Sequence, residues 1–374
     1  MVTIDLLTEN EEGSYRDFLA RCRHGSVQYS LDWRNTIRDL GKDEPFFVVA
    51  KENNEIVGVL PLYCYRSKLG NLLTTIAWHT ISGIMLSDAA VDKDRTRVQY
   101  KALLDYSVEL AKKLNCTALS ISTNPFLDDK EFYSEFRPDY SMENFIQYID
   151  LREIFDKQGS AVHANYVGRT NLSRNLKTAG LQNTVFSDDA TRDKIDECLC
   201  IYSKRMNELH ATPVPKNMFD SIHKNMVSNG KGKFIFALNQ EKMISAALVL
   251  YNDRMLDDYM MCMDSEYRQL RSNFLIIYHI MKWANDNSIS IFNWQSSPSR
   301  WNGVFRWKEQ WGSRELKSLY LTKILGDISQ WKNTDLHELR EAYRFHYLLP
   351  FNLLKSENRS TTKDEVSCFL SHTL

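Results

Sequence analysis

The chain has 374 residues, with 47 basic against 48 acidic side chains and 43% hydrophobic residues. That length exceeds one ordinary core and suits two domains. The balanced charge excludes a whole-chain attraction to DNA or to an acidic surface, so any basic site must be local. Seven cysteines at scattered positions, odd in number and without C-x-x-C spacing, speak against a disulfide framework or zinc and for a reducing cytoplasm. The opening "MVTIDLLTENEEGS" carries acids where a secretory signal needs bases, and no apolar run approaches the ~20 residues of a spanning helix.

In chain order, "YSLDW" ends at Trp33, which anchors an N-terminal helix, with Arg34 and Arg38 beside it. From Phe47 the sequence reads "FVVAKENNEIVGVLPLY", two apolar runs around a polar turn, which predicts a β-hairpin. Strand-like "NLLTTIAW" and "ISGIMLS", a helix over about Thr96–Leu114 and a strand in "TALSIST" follow. From Phe234 the pattern recurs: "FIFALNQEKMISAALVL" aligns without a gap, Phe47 on Phe234, Ala50 on Ala237 and Ile56 on Met243. After it come "RMLDDYMMCMD", a helix over about Ser272–Asn285 with Phe274, Ile277, Tyr278 and Met281 at helical spacing, and the strand "ISIFNW". The recurrence of the whole order of elements points to two copies of one α/β unit.

Between the copies, "GRTNLSRNLKTAGL" (Gly168–Leu181) carries Arg169, Arg174 and Lys177 and no acid; it predicts a basic helix closed by Gly180. An acidic helical region spans Asp188–Asn229 and is broken at Pro213 and Pro215. Beyond Thr322, "DLHELREAYRFHYLLPFNLL" predicts a terminal helix ended or kinked at Pro350, and the last residues are polar.

The segment Leu270–Ser313 ends in "SSPSRWNGVFRWKEQWGS", where Phe305, Lys308, Trp311 and Gly312 form an aromatic-x-x-Lys-x-x-Trp-Gly run. With "YSLDW", "IVGVLPL", "ISGIML" and "LLPFNLL", this run resembles the Fem-type proteins, tandem acyltransferases in which each half has the fold of the general N-acetyltransferases (GNAT). The resemblance covers roughly residues 25–355. It implies an α/β (α+β) chain of two tandem GNAT-like domains, each a mixed, mostly antiparallel sheet flanked by helices: residues 1–160, residues 161–325, then a C-terminal helix and mobile tail over 326–374. It also implies an enzyme that transfers an acyl or aminoacyl group to an amino group of a sugar-linked or peptide-like acceptor and forms an amide. The work of such enzymes is building cell envelope, polysaccharide or peptide natural products.

The donor in such proteins is aminoacyl-tRNA or an acyl-CoA or carrier-protein thioester, so tRNA and an acyl carrier protein are expected partners. The acceptor is a small molecule or a lipid- or nucleotide-linked sugar. The expected compartment is the cytoplasm, including a station peripheral to the inner membrane. A pyrophosphate cradle in this fold uses glycine, because backbone amides must come close to the ligand. The corresponding loop here, "SEYRQLRSN" (Ser265–Asn273), has none, which argues against ordinary acetyl-CoA and leaves phosphate to side chains.

In that frame Arg268, Arg271 and Asn273 are donor-binding candidates. Lys308, where the resemblance places the family's functional lysine, is the catalytic candidate that steadies the oxyanion formed when an amine attacks, or equally grips a phosphate of the substrate. Trp33, Arg169, Arg174, Gln295, Ser297, Arg306 and Trp311 are candidates for holding substrate, and Arg300 joins Arg306 for phosphate or carboxylate contact. The plain alternatives are specific. A lysine among aromatics ordinarily covers apolar surface with its stem, the tryptophans belong in a core, and a basic helical face is ordinarily solvated. The proton acceptor is open among Asp257, Asp258 and Asp264. The competing readings are an acyl-CoA or carrier-thioester dependent N-acyltransferase of an amino sugar and, from another class, a silent glycan-precursor-binding or scaffold protein. No H-E-x-x-H or G-x-S-x-G motif occurs, so neither a zinc nor a serine hydrolase is expected, and no metal is.

Overall fold

A computed structural model describes residues 2–87, 92–297, 303–346 and 351. The chain falls into two compact units, one running to Asn144 and resuming at Lys317, the other spanning Phe145–Leu316. These differ from the spans 1–160 and 161–325 read from sequence. The reason is that the strand over residues 140–150 pairs with the second copy's sheet, while the strand after the second copy returns to the first copy's sheet. The expected tail lies almost wholly outside the described residues, as does Pro350.

The first unit contains β1 (Val2–Leu6), α1 (Glu12–Arg21), α2 (Leu31–Asp39), β2 (Asp43–Glu52), β3 (Glu55–Tyr65), β4 (Asn71–Thr74), β5 (Met85–Leu86), α3 (Lys93–Lys113) and β6 (Cys116–Ser122). β7 (Tyr140–Asp150) leads into the second unit. There follow α4 (Leu151–Ile154), α5 (Ala164–Val167), α6 (Asn171–Gly180), β8 (Val185–Ser187), α7 (Arg192–Glu208), α8 (Lys216–Ile222), β9 (Gly232–Asn239), β10 (Lys242–Tyr251), β11 (Met255–Met263), α9 (Ser272–Asp286), β12 (Ile291–Ser296) and α10 (Gly303–Glu309). β13 (Arg314–Ile324), α11 (Ser329–Asn333) and α12 (Leu336–Ala342) close the described chain.

The two hairpins seen in the sequence are built alike. Asn53 and Asn54 turn β2 into β3 with φ of 50° and 65°, and Gln240 and Glu241 turn β9 into β10 with φ of 49° and 66°. Two consecutive positive-φ residues give the turn whose twist matches paired strands. Each hairpin also carries a bulge at the same aligned place, beside Ala50 opposite Gly58 in one and beside Ala237 opposite Ser245 in the other. Each then adds an antiparallel third strand, β4 or β11, and after a helix a parallel fourth, β6 on β4 or β12 on β11. The sheet of the first unit runs β1-β2-β3-β4-β6-β13 with β5 on β3; that of the second runs β7-β12-β11-β10-β9-β8.

Helix α9 buries Ile276, Ile277, Ile280, Met281 and Ala284, a stripe at helical spacing that packs on the sheet of its unit. The break between α7 and α8 falls at the predicted prolines, since neither supplies a main-chain donor to a continuing helix. Two expectations shift. Gly180 is the last residue of α6, and the chain continues right-handed through Leu181, so no left-handed glycine cap forms. The runs "NLLTTIAW" and "ISGIMLS" yield only short strands. Residues between them are buried, and Thr75 is bonded to β6 through its amide to Ser120 O (3.0 Å) and its Oγ1 from the Ser122 amide (2.8 Å).

His79 lies in that buried stretch, 4% exposed, edge-on to Trp33 and Tyr63. Burial holds its imidazole neutral and pushes its pKa from 6.5 down to about 3. Between those two values the unfolded chain binds the extra proton, so this residue costs stability as pH falls from 6.5 toward 3. Asp129, lifted to about 7 by burial against a Tyr100 hydrogen bond, has the opposite sign. Urea unfolding across this range should therefore show that His79→Phe flattens the acid-side loss of stability relative to wild type, by on the order of a few kcal/mol at the acid end; parallel curves would contradict it.

Candidate functional site

The second unit's sheet opens between β11 and β12. The parallel pairing covers Met255/Ile291, Leu256/Phe292 and Asp257/Asn293 and then stops. Beyond it β11 follows β10, with a bulge at Tyr259 where Leu248 pairs with Met260 and Val249 with Asp258. β12 follows β7, and between Asn293 and Ser296 it too is bulged, with Gln295 at φ 61°.

Lys308 reaches this second bulge from α10. It is 1% exposed, and its ammonium donates to Trp294 O at 2.8 Å and Ser296 O at 3.1 Å, the carbonyls on either side of the bulged residue. Burial lowers the Lys308 pKa, against the attraction of Asp258. Burial likewise raises that of Asp258, against the attraction of Lys308. Below them Asn293 donates to Asp257 Oδ1 (2.6 Å) and accepts from the Gln295 amide (3.0 Å). Gln147 on β7 ties the parts together: its Nε2 donates to Phe305 O and Ser313 Oγ, both at 3.1 Å, and its Oε1 accepts from Ser297 Oγ at 2.8 Å.

The aromatic crowding of this segment packs α10 down. Trp294, Trp307 and Trp311 meet with centroids 5.3–6.0 Å apart, Phe274 stacks on Trp311 at 5.9 Å, and Tyr166 donates to Trp311 O at 3.0 Å. Such pairs contribute about 0.5–1.5 kcal/mol each beyond burial. Gly312, at φ 79°, ends the turn, and a Cβ there would stand 3.2 Å from the His163 ring.

Beside this nest is a cavity of about 980 Å³. Its walls are the end of β11 (Met261, Cys262, Met263), the loop residues Arg268, Gln269 and Arg271, the start of α9 (Asn273, Phe274), α10 (Gly303, Val304, Trp307) and Arg205 of α7. No carboxylate lines it among the described residues. Arg268 and Arg271 are exposed and, among the described residues, have no ion-pair partner, whereas Arg205 is held by Glu208 at 2.9 Å. The turn expected of a glycine is made by Arg271 itself, at φ 56° and ψ 31° immediately before α9. The missing glycine therefore does not keep the chain from presenting the amino end of α9.

The donor candidates Arg268, Arg271 and Asn273 thus come together on one cavity. Lys308, Gln295, Ser297 and Trp311 gather at the bulged end of β12, all buried; Lys308 is not among the cavity-lining residues, although its neighbour Trp307 is. Arg306 is exposed on α10, and Arg169 and Arg174 are exposed at α6, Arg174 bonded to Asn171. Trp33 is wholly buried in the first unit, on α2, where its amide donates to the capping Ser30 side chain. Arg300 lies outside the described residues. Of the proton-acceptor candidates, Asp264 caps the loop turn and meets Lys204 at 3.4 Å, and Asp257 is spent on Asn293. Sequence reasoning did not single out Arg205, which gave no signal inside a helix of balanced charge, or Trp307 as a wall.

Residues 168–309 match the family model described as an acetyltransferase (GNAT) domain, a span that contains every cavity-lining residue and Lys308. No curated protein matches the chain. Among solved structures, FemX superposes with a TM-score of 0.65 at 11% identity, over 91% of this chain and 99% of its own. L-PGS from Bacillus licheniformis gives 0.56 at 10%, over 92% and 99%. A tandem GNAT protein from the clavulanic acid biosynthesis pathway gives 0.54 at 13%, over 87% and 98%. At these identities the likeness establishes the fold: two GNAT-like units in tandem, as in the Fem-type proteins.

Removing one partner of a buried pair strands the other. In urea unfolding Lys308→Met should cost on the order of 3 kcal/mol, and adding Asp258→Asn should recover part of that loss. Strict additivity of the two changes would mean that they do not interact.

Proposed function

We propose that the chain, which sets a GNAT acetyltransferase domain in a Fem-like tandem GNAT fold, is an N-acyltransferase that takes its acyl group from a phosphate-bearing thioester held in the cavity of the second unit. The carrying observation is that cavity's wall: two arginines without acidic partners at the amino end of α9, an apolar flank of Met261, Phe274 and Trp307, and no carboxylate among the described residues. Guanidinium groups and helix-end amides suit phosphate. An aminoacyl donor would bring an α-ammonium that finds no counter-charge on this wall, which favours a thioester over aminoacyl-tRNA.

In this reading Arg268, Arg271 and Asn273 hold the donor's phosphates, and the apolar flank takes its chain. An amine attacks the thioester carbonyl, the C–N bond forms as the C–S bond breaks, and the proton lost by nitrogen ends on the departing thiol. Charge collects on the carbonyl oxygen. Lys308 has three N–H donors, two of them engaged by Trp294 O and Ser296 O. The third is assigned here to that oxyanion. The acceptor is an amine on a sugar-linked or peptide-like molecule, a class supported by the resemblance of the Phe305–Gly312 run.

Discharge of radiolabelled acyl-CoA and of aminoacyl-tRNA, assayed separately, tests the donor. The expected result is release of the acyl group from the thioester alone. Discharge of aminoacyl-tRNA alone, or tight acceptor binding with neither discharged, would overturn the reading. Arg268→Ala and Arg271→Ala should each raise KM for the donor about tenfold with kcat little changed. Lys308→Met should lower kcat by roughly 10²–10³; unaltered kcat would remove Lys308 from the chemistry.

A further inference from the structure

Helix α6 lies outside the cavity and has a face for which the transfer reaction gives no use. Its inner side is Leu172, Leu176 and Ala179, with Leu172 and Leu176 packed into the second unit's core and the helix against α9. Its outer side presents Asn171, Arg174 and Lys177 and ends at Leu181, two turns on from Arg174 and 80% exposed. Arg169 and Val167, the latter 59% exposed, precede the helix, and Val185, 63% exposed, begins the edge strand β8. No acid occurs from Gly168 to Leu181, and the first turn of α6 lacks the acidic residue that would complement its dipole. The next acids along the chain are already matched, Asp188 by Lys233 at 2.5 Å and Asp189 by Lys194 at 3.0 Å. Residues 167–185 thus expose both cations and bare aliphatic side chains.

Nucleic acid and an anionic bilayer both accept cations set along one helix face, and they differ in what else they offer. RNA-binding faces add stacking aromatics or polar base readers. The stretch Gly168–Leu181 has no aromatic residue, and Val167, Leu181 and Val185 gain nothing from phosphates in water. A bilayer surface offers both halves of what this face needs: headgroup phosphates for the cations, and an acyl boundary for the aliphatic side chains. We propose that this face docks on an anionic lipid surface, with Arg169, Arg174 and Lys177 at the headgroups and Val167 and Leu181 entering the boundary beneath them. The inference is independent of the donor assignment above.

Co-sedimentation of the full chain tests it, with vesicles of phosphatidylcholine alone and of phosphatidylcholine mixed with phosphatidylglycerol. The protein should sediment only with the anionic vesicles, and added salt should release it. Arg174→Glu and Lys177→Glu should each weaken that binding about fivefold or more, and Leu181→Asp should weaken it as well. All three positions are exposed, so thermal midpoints should stay at the wild-type value and loss of binding would not be loss of fold. Equal sedimentation with both vesicle types, or full binding by the Arg174→Glu/Lys177→Glu double variant, would overturn the proposal. So would retention of tRNA that is insensitive to Leu181→Asp with no vesicle binding, which would make the face an RNA contact.

Discussion

An ammonium group taken out of water must find oxygen acceptors, and in this protein it finds them where two parallel strands stop pairing. Lys308 bridges the carbonyls of Trp294 and Ser296, which flank the bulged residue Gln295 of β12. A buried carbonyl without a donor is costly, and so is a buried charge without acceptors; each meets the other's need. The arrangement works only if α10 is held down, which the Trp294, Trp307, Trp311 and Phe274 packing does, and if α10 is tied to β7, which Gln147 does. The same bulge that creates the demand also ends the pairing with β11. Strand divergence, lysine burial and the cavity beside Trp307 are thus one construction.

The first unit repeats the frame without this construction. Its β4 and β6 are also parallel, and their pairing ends at Thr74/Ser120. There the chain from Thr75 onward continues across β6 through hydrogen bonds to Ser120 and Ser122, and a buried set of small hydroxyls together with His79 fills the interior. The match to the acetyltransferase domain falls on residues 168–309, in keeping with two copies of one unit of which the second carries the open strand ends. Duplication supplied the frame, and the polar residues at the strand ends decide what each copy does with it.

Much of the frame is legible in the sequence because it depends on local chemistry. The hairpins around Asn53 and Gln240 follow from apolar runs flanking a polar turn, the stripe on α9 from helical spacing, and the break after α7 from Pro213 and Pro215. Arg268, Arg271 and Asn273 could be placed together because they lie within one loop. What could not be read depends on contacts far apart in the chain. The pairing of β7 with β12 moves the boundary to Asn144, the return of β13 to β6 gives the chain from Lys317 back to the first unit, and Arg205 joins the cavity from α7 with no motif to mark it. Asp258 was one of three acid candidates in the sequence and is distinguished by burial and by its electrostatic attraction to Lys308. That an arginine would take the left-handed turn at position 271 also escapes sequence reasoning, since the preference for glycine there is statistical and tertiary packing overrides it.

In the proposed reaction the reacting carbonyl lies against the third N–H of Lys308. The most direct test is a crystal structure of the chain with a hydrolysis-resistant acyl thioester analogue bound. It should place the analogue's phosphates on Arg268 and Arg271 and its acyl oxygen within hydrogen-bond distance of Lys308 Nζ. An analogue bound elsewhere, with that ammonium still engaged only by Trp294 and Ser296, would contradict it.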